Sequence, residues 1–492
     1  MNGVEAGAEV GSANATDRRT DAEPRGGASR RTALWGAGIA VLLIAAAIAI
    51  PALTGWNVRV KSFPPLHAEW MPRIGPGLPV AIALGVLAVI YGARVSARMR
   101  WIPLQLTVFG ATLVWLLSLA LVDGIDGIGS ILNHRYEYLN TAREVTDFGA
   151  TLHEYIARIP YSHEDNWPVH IAGHPPGALL FFYVLVRLGL GSGLAAGLVV
   201  VLLGATIPVA VLGTMRLLGA EGFARNVAPL LVFTPAAIWV AVSGDGMFAA
   251  FAAWGLWALA RAASARRRGG GMLQMVSWSV VAGLLLGYCV MLSYGLPLLG
   301  VLALAVLFAA RDWRPLLIAA ASALVVVLLF AAGGFAWWEA FPVLQQRYWD
   351  GVASRRPPGY WMWGNLAAFA ISAGPLVGAS LAGVIAVALG RWRTRGERRS
   401  APWFGAESGA GSGPGSDAGI RVVLLLAGAA WLIIFLADVS QMSRAEVERI
   451  WLPFAPWALI GLSLFSPRVR RGALIAQILF ALIVQSLLHT GW

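Results

Sequence analysis

Apolar runs of about 17 to 25 residues, the length that crosses a bilayer as a helix, recur along the whole chain. Short polar or basic stretches separate them. Strict apolar/polar alternation of the barrel type is absent. In lipid only a helix or a closed barrel satisfies its own backbone hydrogen bonds, so the pattern predicts an all-α, polytopic transmembrane helical bundle. Thirteen spans are expected, near 33–53, 79–95, 102–122, 193–215, 226–242, 247–263, 272–291, 295–309, 315–335, 364–389, 421–437, 451–465 and 472–490.

Charge orients this bundle. The polar segment that opens the chain carries Arg18, Arg19, Arg25, Arg30 and Arg31 and reads as a disordered cytoplasmic tail. With that tail inside, the basic stretches 94–100, 216–225, 261–268, 311–314, 391–399 and 468–471 all fall on the inner side, as the positive-inside rule requires. A fourteenth apolar run, 175–190, would reverse every later loop if it crossed. It is therefore read as an interfacial helix in the first long external loop, with Pro175 and Pro176 at its start. The expected organisation is a tail at 1–32, two N-terminal transmembrane helices at 33–101, a core at 102–395 with external loop 123–192, a Gly/Ser-rich cytoplasmic linker at 396–420, and C-terminal transmembrane helices at 421–492.

Composition agrees. Of 492 residues 58% are hydrophobic and 13% charged, too few charges for a soluble surface of this size. The net charge of +12 would suggest nucleic acid in a soluble domain, but here it lies in the loops and reads as topology. Cys289 is the single cysteine, which excludes an intramolecular disulfide and a cysteine-built zinc site.

The acids then gather at the outer ends of the helices, where desolvated carboxylates usually mark a substrate or ion path. Asp123 and Asp126 are three apart, on one face if the helix continues. They read either as a paired-carboxylate site or as a solvated helix end. Asp245 is the only charge between Arg225 and Arg261. It is either functional or a cap for the helix that follows. Asp123, Asp126 and Asp245 are the catalytic candidates. Loop 336–363 is rich in aromatics and arginine, either as an interfacial belt or as a groove where Arg347, Arg355 or Arg356 holds a lipid phosphate and aromatics stack on a sugar. Glu137, His174, Glu448 and Arg449 complete the binding candidates. His134, His153, His163 and His170 read as solvated loop residues, although His163-Glu164-Asp165 could hold a cation loosely. No cofactor is called for, a divalent cation being the one option left open.

The order of motifs resembles the C-type (GT-C) membrane glycosyltransferases, above all bacterial aminoarabinose transferases and protein O-mannosyltransferases. The likeness rests on HRYEYLNTAREV, then GHPPGALLFFYVLVRLGL, MRLLGAEGFAR, LVFTPAAIW, SGDGMFAAFAAWGLWAL, GLLLGYCVMLSYGLPLLG and ERIWLPFAPWAL, over roughly 102–465. It implies transfer of a sugar from a polyprenyl phosphate in the cytoplasmic membrane to an external glycan, lipid or protein acceptor. One departure stands out. Aligned on Tyr138 and Arg143, His134-Arg135 falls where the family carries Asp-Glu, so the acidic role passes to Asp123, Asp126 or Glu137. The residues themselves leave two alternatives. A transporter or flippase for a lipid-linked or hydrophobic substrate would show helices broken at mid-membrane and charges deep in the spans. A noncatalytic envelope-assembly scaffold needs no site at all.

Overall fold

The computed structural model describes residues 27–60, 63–397 and 417–490. Most of the tail and of the Gly/Ser-rich linker lie outside the described residues. Among those described, ten helices are long and apolar enough to cross a membrane, from Arg30–Thr54 to Pro467–Leu487. Shorter apolar helices lie at Gly177–Arg187, Leu296–Ala310 and Ala455–Leu464. The only sheet in this part of the chain is a two-residue antiparallel pair, Glu69–Trp70 with Leu488–His489. The protein is a multi-pass helical bundle. Its outward faces suit lipid: Leu34, Trp35, Ile39 and Leu42 of the first helix stay exposed. The other face of that helix packs backbone to backbone on Leu376–Glu397. A Cβ on Gly36 would lie 2.4 Å from the Gly378 carbonyl oxygen, the close approach that small residues allow in membranes.

Three of the thirteen expected spans are broken or shortened, and a fourth, 193–215, has a one-residue turn at Thr206. Span 226–242 is a helix only over Glu221–Val232; Pro235, which has no N–H to donate, follows, and one further turn spans Ala237–Val240. Span 364–389 is split into Pro358–Ser372 and Leu376–Glu397 by Gly374, at φ +86°, and Pro375. The two breaks abut, since a Cβ on Gly374 would meet the Pro235 ring at 2.9 Å. Span 451–465 is the short helix Ala455–Leu459 followed by a 3-10 turn. Run 175–190 forms an eleven-residue helix, Gly177–Arg187, roughly 16 Å long and too short to cross.

The bundle has two unlike poles. At one, basic loops hold each other. Arg225 donates to the carbonyls of Ser96 and Met99 at 2.9 and 2.8 Å, Arg216 lies over the Trp101 ring, and Arg421 donates to the Phe308 carbonyl. The other pole carries Asp123, Glu137, Asp245, Glu446 and Glu448. It is roofed by loop 123–192 and laced by the bonds of Met71 and Arg73 N–H to the 486–487 carbonyls.

Candidate functional site

The roof of the acidic pole is fixed by side chains bonded to backbone. Arg143 donates to the Gly191 carbonyl and to the side chains of Asn140 and Asn133 at 2.7–2.9 Å, closing the loop on itself. The Tyr155 hydroxyl donates toward the carbonyls of Ile171 and His174, and the Trp167 indole N–H reaches the Tyr155 carbonyl. Arg347, from loop 336–363, is buried and directs its guanidinium at the carbonyls of Ile159 and Trp167 and at Asn166 Oδ1. Its donors are thus committed to the roof.

Under this roof four distant segments meet. Glu137 sits just before the helix Tyr138–Glu144, His170 lies on the turn Val169–Ala172, Asp245 opens the helix Gly244–Ala263, and Arg449 lies on the turn Val447–Ile450. All four are buried. Arg449 reaches Glu137 Oε1 at 3.4 Å, Asp245 Oδ2 at 3.5 Å and His170 Nε2 at 3.3 Å. A guanidinium only donates, so His170 Nε2 accepts and the ring proton is on Nδ1, which meets Glu137 Oε1 at 3.0 Å. The helix opening at Gly244 is capped by Ser243, whose hydroxyl accepts from Gly246 N–H at 3.0 Å. That leaves the Asp245 carboxylate to face Arg449. These three contacts to Arg449 are longer than the roughly 2.7–2.9 Å of tight charge-assisted bonds.

Electrostatics follow from this enclosure. Burial pushes the Glu137 carboxyl up, but His170, Arg449 and His174 outweigh it and hold it below its usual value. Burial also opposes the charge on Arg449, yet Asp245, Glu137 and Glu446 hold it protonated more firmly than usual. Tyr138, stacked parallel on Phe182 at 5.5 Å, is raised well above the ordinary phenol by burial and by the charges of Asp245 and Glu137. His174 is lowered, by burial first. Its Nδ1 lies 2.8 Å from both the Tyr138 hydroxyl and the His170 carbonyl. The carbonyl can only accept, so Nδ1 carries the proton and Nε2 is left as an acceptor.

Two further groups border the cluster. Arg356 is buried, donates to the Arg444 carbonyl and to His67 Nε2 at 2.8 Å, and pairs with Glu446 at 3.3 Å. Burial raises Glu446, but Arg356, Arg449 and His67 overcome this and set it at about 2. Glu448 behaves in the opposite way. It is 1% exposed, neither carboxylate oxygen has a hydrogen-bond partner, and burial, with Glu446 nearby, pushes it up to about 7. Arg355 is exposed, beside the buried Arg356.

Asp123 and Asp126 lie elsewhere. They line a cavity of about 250 Å³ with Arg73, Ser130, Gln485, His489 and Thr490, walled by Ile131, Ile238, Ala241 and Val242. Asp123 pairs with Arg73 and accepts from Gln485 Nε2 at 3.1 Å. Asp126 is exposed. No hydrogen bond or ion pair joins either acid to Asp245 among the described residues.

His170 corrects its reading as a solvated loop histidine. It is buried against Glu137, because the Tyr155–Trp167 packing folds its turn inward. Its spacing of four from His174, with a Pro ahead of it, was the available signal. Tyr138, Glu446 and His67 also enter the site without having been singled out as binding residues, although Tyr138 lies in a motif that carries the resemblance and Glu446 lies two residues ahead of Glu448. Among the described residues no three or more His, Cys, Asp and Glu side chains are placed to hold a metal ion, and Glu164 and Asp165 of the His163 stretch are exposed.

No family model and no curated protein matches this chain. Among solved structures it is similar to ArnT from Cupriavidus metallidurans in the apo state, at 15% identity, covering 70% of this chain and 73% of that one, with a TM-score of 0.27. At that TM-score the likeness carries nothing over to the site.

Proposed function

We propose that the protein is a GT-C-type glycosyltransferase of the cytoplasmic membrane, with its N-terminus inside and its acidic pole outside, transferring a sugar from a polyprenyl phosphate to an extracytoplasmic acceptor. The observation that supports this most is the buried convergence of Glu137, His170, Asp245 and Arg449 from four segments of the acidic pole. In the reaction an acceptor hydroxyl attacks the anomeric carbon. The bond from that carbon to the phosphate oxygen breaks, and the polyprenyl phosphate leaves with the electron pair. Asp245 takes the hydroxyl proton. Arg449, set between Glu137 and Asp245, stabilises the charge added to the leaving phosphate. Glu137, held ionised, and His170 position Arg449. Exposed Arg355 meets the phosphate as it arrives.

Asp245→Asn tests this, with membrane insertion checked by detergent-extracted yield. Transfer from a polyprenyl-phosphate sugar is expected to fall about a hundredfold to ten-thousandfold, the usual contribution of a positioned base. Wild-type turnover in the variant would remove Asp245 from the chemistry.

One observation favours a second reading, a transporter for a lipid-linked substrate. The breaks at Pro235 and Gly374 abut inside the bundle, and Gln477, fully buried near Gly374, has no hydrogen-bond partner at either side-chain atom. Transport by reconstituted vesicles without sugar transfer would select it.

A further inference from the structure

The cavity around Asp123 and Asp126 takes no part in the reaction just described, although it lies on the same pole. Its inner wall is the segment Ile238–Val242, and Val242 is three residues ahead of Asp245. Cavity wall and cluster are therefore joined by a few residues of chain. The cavity's other walls are the start of loop 123–192, with Asp123, Asp126 and Ser130, Arg73 from the strap before the second helix, and Gln485, His489 and Thr490 from the end of the last helix. The pairing of Glu69–Trp70 with Leu488–His489 and the bonds of the Met71 and Arg73 N–H groups to the 487 and 486 carbonyls hold the last two of these walls together.

The lining limits the ligand. Asp123 is neutralised by Arg73 and bonded by Gln485 Nε2, a prearranged polar floor. The Asp126 carboxylate has no hydrogen bond or ion pair among the described residues and stands at the open side of the cavity next to Ser130. The unpaired Asp126 carboxylate repels a phosphate. A divalent cation lacks a ligand set, since Asp123, Asp126 and His489 line the cavity without being placed to hold one metal ion together. A neutral polyol fits: its hydroxyls donate to carboxylates, accept from a guanidinium or amide, and its C–H face lies on Ile131, Ile238 and Val242. The volume of about 250 Å³ is at the small end of ligand sites and suits a sugar ring.

We infer that this cavity is a binding site for a neutral saccharide, the sugar of the acceptor, held beside the Asp245 centre by Asp126, Asp123, Arg73 and Gln485. That the saccharide is the acceptor rests on the glycosyltransferase reading; that the cavity binds a saccharide does not.

Saturation-transfer NMR on the full-length protein in detergent tests it, with methyl glycosides of neutral hexoses and pentoses as probes and a glucosamine glycoside and methyl phosphate as controls. At least one neutral methyl glycoside is expected to receive saturation. Asp126→Ala, which removes a charged acceptor, should weaken it about tenfold or more. Ser130→Trp, which fills the rim from an exposed position, should abolish it, and Asp245→Asn should retain it. No saturation of any neutral glycoside, binding of the glucosamine glycoside or methyl phosphate alone, or binding unchanged in both rim variants would overturn the site. If Asp245→Asn transfers sugar normally while the rim variants lose the probe, the reaction centre is misplaced and the saccharide site stands.

Discussion

The Arg449 cluster and the Asp123 cavity use the same residue types at the same pole: carboxylates, an arginine, a histidine. They differ in water. Glu137, Asp245 and Arg449 are all buried, and Arg449 pairs with both carboxylates. Asp123 and Arg73 keep partial exposure, and Asp126 is open. An ion pair in a dry site is a mutual obligation, because removing one partner strands the other; at a wet site it is weak. The comparison teaches that chemistry belongs where charges are enclosed and held at a distance from each other, and that open, already paired charges are better suited to recognising a ligand.

The largest effect that would break this contrast is on stability. Arg449→Leu is expected to lower unfolding stability by about 3–5 kcal/mol, because two buried carboxylates lose their cation. Arg73→Ala should lower it by about 1 kcal/mol or less. Thermal unfolding in detergent compares them, and equal losses would erase the distinction. A smaller effect separates the neighbours Arg355 and Arg356. Arg355→Ala should weaken donor binding by about 1.5–3 kcal/mol, the range of a charged hydrogen bond, with no change in unfolding. Arg356→Ala should shift the unfolding temperature downward, since it leaves Glu446 and the Arg444 carbonyl without their donor. Titration with a polyprenyl-phosphate sugar and a melting curve for each variant decide it.

The smallest effect is a pH dependence inside the cluster. Glu448 is raised from 4.5 to about 7, so between these values the folded protein binds more protons than the unfolded chain, and stability falls as pH rises. Glu446 is lowered from 4.5 to about 2, so its contribution is present above 4.5 and is lost as pH falls toward 2. Glu448→Gln should flatten the decline between pH 4.5 and 7, by on the order of 1–3 kcal/mol at pH 8 relative to the parent. Unfolding curves at pH 5 and pH 8 check it. An unaltered slope would mean that Glu448 finds a partner in solution.

Much of the fold is set by local pattern. Apolar length and the placement of arginines are properties of each segment alone, since partition into lipid depends on a helix's own side chains and the cost of moving a basic loop across is local. That is why the bundle, the division into a basic and an acidic pole, and the non-crossing run at 175–190 were legible. The helix breaks were only partly so. Pro235 and Pro375 are visible in the sequence, but hydropathy averages over them, and the packing of Gly374 on Pro235 makes two separate irregularities into one feature.

The candidate site divides the same way. Asp245 stood out as an isolated acid in an apolar stretch, and the Glu137 and Arg449 motifs carried their own resemblance. What tertiary structure alone decided is who faces whom. Asp245 and Arg449 are some two hundred residues apart in sequence, yet their side chains lie 3.5 Å apart, while Asp123 turns to Arg73 and Gln485 instead. His170 looked like any loop histidine until the Tyr155–Trp167 roof folded it against Glu137. Sequence fixes which side chains are too polar to leave unpaired. Burial, a property of the whole packed bundle, decides which of them must pair with one another and which can wait for a ligand.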